Sequence, residues 1–539
     1  MSSTTHHDTT HYDTTHYDIA IIGSGAGGGT LAYALANSGK RVVILERGGY
    51  LPREKQNWDA TAVFVDQRYH TAEMWTDKDD KPIRPGTGYN VGGNTKVWGG
   101  ALMRLREGDF GAVTHFDGVS PAWPLSYTDF APYYTRAENL YGVHGTRGID
   151  STEPPTDDPF PWPAVTHEPR IQEVYDGLHA HGYHPFPLPQ AIRLDEKNRH
   201  LSPCIKCDTY DGYPCLVDGK YDAQNTCVTP ALRDPNIDLV TDAYVARLET
   251  DATGRTVTGI MVRQGGNGGD SGDDSAMVRY TADIVVVAGG AINSAALLLR
   301  SANDRHPHGL ANRSDQVGRN YMCHNDSAVL TISTKPNPSK FTKTIGLNDY
   351  YWSAPDFPYP LGHIQSLGKS SPPQLHGEGP APSPALPLVG MTLEYMTSHS
   401  VDWWLTTEDL PRADNRVTLN ADGSIKLAYT PNNTEPHRRL GKKLHEAMER
   451  IEGGPVQIFP HVAYLSRKVA LTAVAHQCGT CRFGTDPTTS VLDLHCKAHD
   501  LDNLYVVDSS FFPANSSINP SLTIIANALR VADHLRERV

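Results

Sequence analysis

Six residues near the start of the chain restrict its fold more than any other stretch. Gly23-Ser24-Gly25-Ala26-Gly27-Gly28 stands between the apolar run YDIAII and the segment TLAYALANSGK. The match to G-x-G-x-x-G lies directly after a predicted strand and directly before a predicted helix. There the first glycine makes a tight turn, the second lets the backbone approach a pyrophosphate, and the third lets helix and strand pack closely. The helix predicted for TLAYALANSGK ends at Gly39 and RVVILE forms a second strand, which completes a β-α-β unit. A helix N-terminus presents free N–H groups and partial positive charge to phosphates. Glu46 closes the second strand, about 20 residues beyond the glycines, where a carboxylate accepts hydrogen bonds from ribose hydroxyls. With Arg47 beside it, this set predicts an adenine dinucleotide and leaves NAD and FAD both open.

At 539 residues the chain exceeds what one hydrophobic core usually serves, so two parts are expected. A formal charge of -13 repels phosphate backbones and anionic lipid surfaces, so neither nucleic acid nor membrane is an expected partner. No apolar run approaches the roughly 18 to 20 residues that cross a bilayer, and no charged-then-apolar leader opens the chain. These features predict a cytoplasmic protein with its eight cysteines reduced.

Residues 1–16 carry the repeat TTHHD TTHYD TTHYD and are predicted to be a solvated tail. Ser126 and Asp129 predict a capped helix start. Residues 151–190, rich in Pro and His, predict an irregular covering segment. AYVARLETDATGRTVTGIMVRQ predicts a hairpin turning at Gly254, and residues 265–274 a surface loop. ADIVVVAGGAINSAALLLRS predicts a central parallel strand, a turn and a helix. Six prolines between Pro372 and Pro387 argue against helix or inner strand there, so residues 363–390 are expected to be a lid or a linker.

The glycine pairs Gly92-Gly93 and Gly99-Gly100 in RPGTGYNVGGNTKVWGG would let backbone lie against a flat ring; two turns around a buried Trp98 are the alternative. VGGNTKVWGG, WPLSYTDFAPYYTRAENLYG, VGRNYMCHN, TEDLPRADNRVTL and NLYVVDSSFFPANSSINPSLTIIANALRVADHL follow one another as in the glucose-methanol-choline (GMC) oxidoreductases. Over roughly residues 17 to 537 the chain resembles that family, most nearly its pyranose-oxidase-like members. The resemblance implies FAD, an α/β Rossmann-type flavin domain that is discontinuous in sequence, and an α+β substrate domain with an antiparallel sheet. The flavin domain is expected in residues 17–110, 204–325 and 474–539, and the substrate domain in 111–203 and 326–473. Gly23, Gly25, Ala26, Gly28, Glu46 and Arg47 fall on the ADP-binding positions. Gly92, Gly93, Asn94 and Thr95 fall beside the flavin ring. Val245 falls near adenine, Ala288 and Gly289 near the pyrophosphate, and Asp508 near the ribityl chain. Val97 occupies the position of the flavin-linking histidine of some pyranose oxidases, so non-covalent FAD is expected.

Asn519 and Pro520 predict the cap and first residue of the last helix, whose N-terminal charge would favour a developing anion. His476, in AHQCGTCRFG, can take a hydroxyl proton near neutral pH, as imidazole chemistry allows. The resemblance pairs His476 as base with Asn519 as the donor that orients the substrate oxygen. It implies oxidation of a pyranose or glycoside ring hydroxyl at carbon 2 or 3, with electrons passed to oxygen or another acceptor. A sterol or aliphatic alcohol oxidase is one alternative. The other is a metal-binding protein built on Cys204, Cys207, Cys478 and Cys481, or on Cys204, Cys207, Cys215 and Cys227; the resemblance leaves no metal at the site.

Overall fold

The computed structural model describes residues 15–265, 277–377, 392–453, 463–469, 471 and 475–538. Two large sheets organise it. The first has seven strands, in the order Ile237–Val240, Val42–Leu45, Thr15–Ile22, Met277–Val287, Val257–Gln264 and Ala243–Thr250, with Leu504–Val506 also paired to Met277–Val287. Ile19, Ala20, Ile21, Val42 to Ile44 and Val285 to Val287 are fully buried, as a continuous apolar run covered on both faces must be. Helices Ala26–Leu35 and Ser521–Arg538 pack on each other, and Tyr127–Leu140 packs on the latter. Ser126 caps Tyr127–Leu140 as expected, its Oγ accepting from the Asp129 amide while the Asp129 carboxylate accepts from the Ser126 amide at 2.8 Å. The expected hairpin turns at Gly254, whose φ of +78° suits glycine. Met277–Val287 is parallel to Thr15–Ile22 and Leu504–Val506 but antiparallel to Val257–Gln264, so the expected parallel strand has mixed neighbours.

The second sheet has six strands, all antiparallel to their neighbours, in the order Ala463–Lys468, Asn325–Ile332, Ser400–Thr407, His363–Ser366, Ile345–Leu347 and Pro185–Pro187. Side chains alternate between faces. Val329, Trp403, Leu405, Ile364 and Leu347 form one core with Ile171, Val174 and Leu178 of helix Pro169–Ala180 and Leu440, Leu444 and Met448 of helix Thr434–Glu452. Each such buried aliphatic side chain contributes about 1.5–3 kcal/mol. The opposite face carries Asp326, Trp404, Thr406, His363 and Gln365.

Several expectations need correction. Residues 151–190 are not irregular throughout, because Pro169–Ala180 is a helix. Proline stands at its first position, where no N–H is needed, and Ile171, Val174 and Leu178 fall on one face. His363–Ser366, placed in the expected lid, is an inner strand. Pro372–Gly377 is a short helix, since prolines in a first turn lose no internal hydrogen bond. The remainder of that lid, 378–390, lies outside the described residues, as does the predicted loop from 266 onward. The first strand starts at Thr15, within the segment expected to be tail. Of the hairpin strands Arg416–Leu419 and Ile425–Ala428, expected in the substrate domain, the second pairs with Trp75–Asp77, and together they bury Val417, Ile425 and Leu427 in the core of the first sheet. Among the described residues no helix is long and apolar enough to cross a membrane.

Candidate active site

The glycine turn has the shape its motif predicts. Gly23 has φ +104°, and a Cβ there would stand 2.5 Å from the Ala288 carbonyl oxygen; one at Gly28 would stand 2.0 Å from the Gly23 carbonyl oxygen. Gly25 differs: the nearest atom to a Cβ would be Gly93 Cα at 4.0 Å, so space is left in front of the helix that begins at Ala26. The Gly92 amide donates to Ser24 Oγ at 3.0 Å, which ties the Gly92–Thr95 segment to the turn. Thr95 Oγ1 donates to the Gly92 carbonyl at 2.5 Å and accepts the Ala223 amide at 2.9 Å. Asn94 Oδ1 accepts from Thr87 Oγ1 at 3.0 Å.

Glu46 lies where expected, buried at the end of the second strand. Its Oε2 accepts the Ser24 amide at 3.0 Å and Ser24 Oγ at 2.6 Å, and its Oε1 accepts the Gly48 amide at 3.0 Å. Burial pushes the carboxyl above its ordinary value against the pull of these bonds. A carboxylate offers about four lone-pair sites, so one remains for a ribose hydroxyl. Arg47 is held by Glu73 at 3.1 Å, with its guanidinium carbon 3.9 Å from the Tyr89 ring centroid and 4.6 Å from that of Tyr244. Val245 stands at a β-bulge, where the register shifts before Arg247. The Gly289 amide donates to Ser294 Oγ at 3.0 Å. Asp508 accepts the Gly290 amide at 2.9 Å, the Ser510 amide at 2.9 Å and the hydroxyls of Ser294 and Ser510. Gly27 approaches Val507 and Asp508 closely enough that a Cβ would stand 2.2 Å from the Val507 carbonyl oxygen. Glu46, Gly92, Ala288 and Val507 with Asp508 therefore all touch the turn from Gly23 to Gly28, whose Gly25 is left open, and this cradle suits a pyrophosphate-bearing dinucleotide such as FAD.

His476 and Asn519 also meet, with Asn519 Nδ2 3.3 Å from His476 Nε2. The last helix begins at Ser521 rather than Pro520; Pro520 offers its carbonyl to the Ile524 amide, and Asn519 stands one residue ahead of the cap. That leaves the Asn519 side chain turned to His476 instead of closing the helix. Its Oδ1 is buried without a protein partner.

Two residues that the sequence leaves without a role, His324 and Asp326, stand beside the pair. Met322 and Cys478 form an antiparallel bridge with N–H to O distances of 3.1 and 2.8 Å, and the same register two residues on sets His324 opposite His476. His324 Nδ1 lies 2.9 Å from His476 Nδ1, and His324 Nε2 lies 3.1 Å from the Asn515 carbonyl oxygen. Asp326 Oδ2 lies 3.4 Å from His476 Nδ1. Asp326 Oδ1 accepts Trp404 Nε1 at 3.1 Å and Thr406 Oγ1 at 2.8 Å. VGRNYMCHND holds both His324 and Asp326, but nothing in its spacing marks them as neighbours of a residue 150 positions away. Further along the same sheet face, His363 and Gln365 are buried side by side, and among the described residues His363 Nε2 and Gln365 Oε1 interact with each other but make no well-formed hydrogen bond. Buried polar atoms are rarely left so unless a ligand or water completes them.

All eight cysteines are free thiols. Burial pushes Cys204 up to about 11 and Cys227 up to about 12, and raises Cys478 and Cys481 as well, so none of these is a ready thiolate. Among the described residues the group whose ligand atoms all lie within 4.8 Å of one another is His324, Asp326 and His476; Cys204, Cys207 and Cys215 neighbour one another more loosely, and Cys227 bonds Tyr141 and Thr30 instead.

Comparison with known proteins agrees with this geometry. Two family models described as GMC oxidoreductase match, one over residues 26–326 and the other over 411–528. The chain is 31% identical to 6'''-hydroxyparomomycin C oxidase of Streptomyces lividus, over 96% of this chain and 91% of that protein. It is 30% identical to paromamine 6'-oxidase of Streptomyces fradiae, over 95% and 90%. Identity is 27% with the fructose dehydrogenase large subunit of Gluconobacter japonicus, over 96% and 97%. Among solved structures, pyridoxine 4-oxidase from Mesorbium loti superposes with a TM-score of 0.65 at 19% identity, covering 96% of this chain and 99% of that one, which supports the fold. The expected combination of a Rossmann-type flavin-binding fold and an antiparallel second sheet is therefore present, and the chain belongs to the GMC oxidoreductases, a family of FAD enzymes that act on CH–OH donors.

Proposed function

We propose that the protein oxidises a ring secondary hydroxyl, at carbon 2 or 3, of a pyranose sugar or glycoside to a ketone and passes the electrons to oxygen or another acceptor. The observation that carries the sugar reading is the polar face of the six-stranded sheet. A polyhydroxylated ring would offer hydroxyls to His363 Nε2 and Gln365 Oε1, which are buried beside each other, whereas a sterol or aliphatic chain would offer this polar face no hydrogen bonds. Bound FAD supplies the two-electron acceptor; the residues Gly23 to Gly28, Glu46, Gly92 to Thr95, Ala288, Gly289 and Asp508 would hold it. Oxidation of CH–OH also releases a proton, which His476 Nε2 takes while Asn519 Nδ2 steadies the oxygen. A second reading, oxidation of an exocyclic primary hydroxyl, is favoured by the resemblance to paromamine 6'-oxidase.

A panel of sugars, glycosides, aminoglycosides and aliphatic alcohols, followed by anaerobic flavin bleaching with NMR of the product, tests these readings. Bleaching by sugars with a ring ketone as product is the expected result; faster bleaching by simple aliphatic alcohols would remove the sugar reading. Gln365→Leu should lower kcat/KM for the best sugar about 10-fold, as loss of one buried hydrogen bond implies, and leave aliphatic alcohols unaffected. With Val97 where a linking histidine would stand, acid precipitation should release all the FAD into the supernatant, and a yellow pellet would contradict non-covalent binding.

A further inference from the structure

We infer that Asp326 and His324 act as a positioning relay behind His476: they fix its tautomer, with Nε2 bare toward the substrate, and hold the imidazolium that forms when this nitrogen takes the hydroxyl proton. The inference rests on the reading of His476 as base.

The hydrogen bonds allow one assignment of protons. The Asn515 carbonyl can only accept, so His324 Nε2, at 3.1 Å, carries the hydrogen. A neutral imidazole has one N–H, which makes His324 Nδ1 an acceptor. The 2.9 Å contact between the two Nδ1 atoms then requires the hydrogen on His476 Nδ1. His476 Nε2 is left with its lone pair, in keeping with an Asn519 amide N–H 3.3 Å away. His324 stays neutral because burial, with the neighbouring His476 adding to it, holds its pKa below the ordinary histidine value.

Asp326 supplies the second half. Its side chain is wholly buried, Oδ1 is saturated by Trp404 and Thr406, and Oδ2 has no partner other than His476 Nδ1. A buried carboxylate oxygen without a full hydrogen bond is costly unless a positive charge arises opposite it. Burial raises the Asp326 carboxyl, but His476, His324 and Thr406 together outweigh this and keep it below the ordinary carboxylate value, so the anion is present at neutral pH. Among the described residues, the other titratable groups beside the relay have partners of their own or are held neutral, as burial does for the Cys323 thiol. Asp409 accepts the His324 amide, Tyr429 and Asn515, while His437, from the helix behind the sheet, bonds Ser327 and Thr407 and is held down to about 4 by burial. The same three residues have the composition of a metal site, but two nitrogens on one tetrahedral zinc at about 2.0–2.1 Å stand roughly 3.4 Å apart, and a 2.9 Å contact fits a shared hydrogen better.

The test compares Asp326→Asn with the parent enzyme, each made also in a His476→Gln background, with FAD content measured for all four. Asp326→Asn should keep its FAD and lower the plateau rate of anaerobic flavin reduction about 10- to 100-fold. It should also move the acid limb of the kcat/KM profile to lower pH, because the imidazolium loses its counter-charge. In the His476→Gln background the same change should have no further effect. An acid limb that does not move, or an equal rate loss in both backgrounds, would overturn the relay. Rapid reduction in His476→Gln alone would overturn the base itself, which is a separate failure. If Asp326→Asn fails to bind FAD, His324→Gln and His324→Leu carry the test. The glutamine keeps a donor for Asn515 and an acceptor for His476, so it should lose distinctly less rate than the leucine; equal losses would count against the relay.

Discussion

His476→Ala is expected to bind FAD normally and to reduce it with substrate roughly 10²- to 10⁴-fold more slowly, the range that removal of a positioned general base produces. FAD retention follows from where the residue sits: His476 contacts His324, Asp326 and Asn519, and none of its bonds reaches the glycine cradle around Gly25. Stopped-flow reduction under nitrogen, with FAD content read from the denatured protein, checks both halves of the expectation. Rapid reduction in a variant that holds FAD would refute the base. Loss of FAD together with loss of rate would assign His476 to the fold instead of to the chemistry.

The second large effect concerns Gly25. Its backbone, at φ -70° and ψ -159°, is extended and open to any residue, and a Cβ there meets nothing nearer than 4.0 Å. Gly25→Val should therefore fold with a thermal midpoint close to that of the parent apoprotein. The added methyl groups occupy the space in front of the helix N-terminus, so affinity for FAD should fall at least about 10-fold, or about 1.4 kcal/mol. Gly28→Ala serves as the contrast, since a Cβ 2.0 Å from the Gly23 carbonyl forces backbone apart and should reduce soluble yield itself. Equilibrium binding of FAD to the apoproteins, with thermal melts of each, separates the two. Unchanged FAD affinity in Gly25→Val would remove the cradle from the binding site.

The dinucleotide unit was legible because its determinants are local. Strand, turn and helix at residues 17 to 46 are set by apolar period and by Gly23, Gly27 and Gly28, whose φ or close contacts admit nothing larger, and Ser126 with Asp129 caps a helix by contacts three residues apart. Composition misled where it was weighed above period. Among the prolines and histidines of 151–190, the spacing of Ile171, Val174 and Leu178 already carries a helical face. His363–Ser366 reads as loop beside a proline-rich stretch because its strand character comes from two neighbouring strands rather than from its own residues.

Sequence alone determined the nucleotide-binding turn, the helix and strand that flank it, and the residue types able to move a proton, His476 among them. Only the tertiary structure decided which groups surround that imidazole. His324 reaches it through an antiparallel register joining residues 152 positions apart, and Asp326 reaches it because the six-stranded sheet turns Trp404 and Thr406 toward the same carboxylate. Register of this kind is set by the packing of one sheet face against two helices, a sum over many distant side chains that no short motif contains.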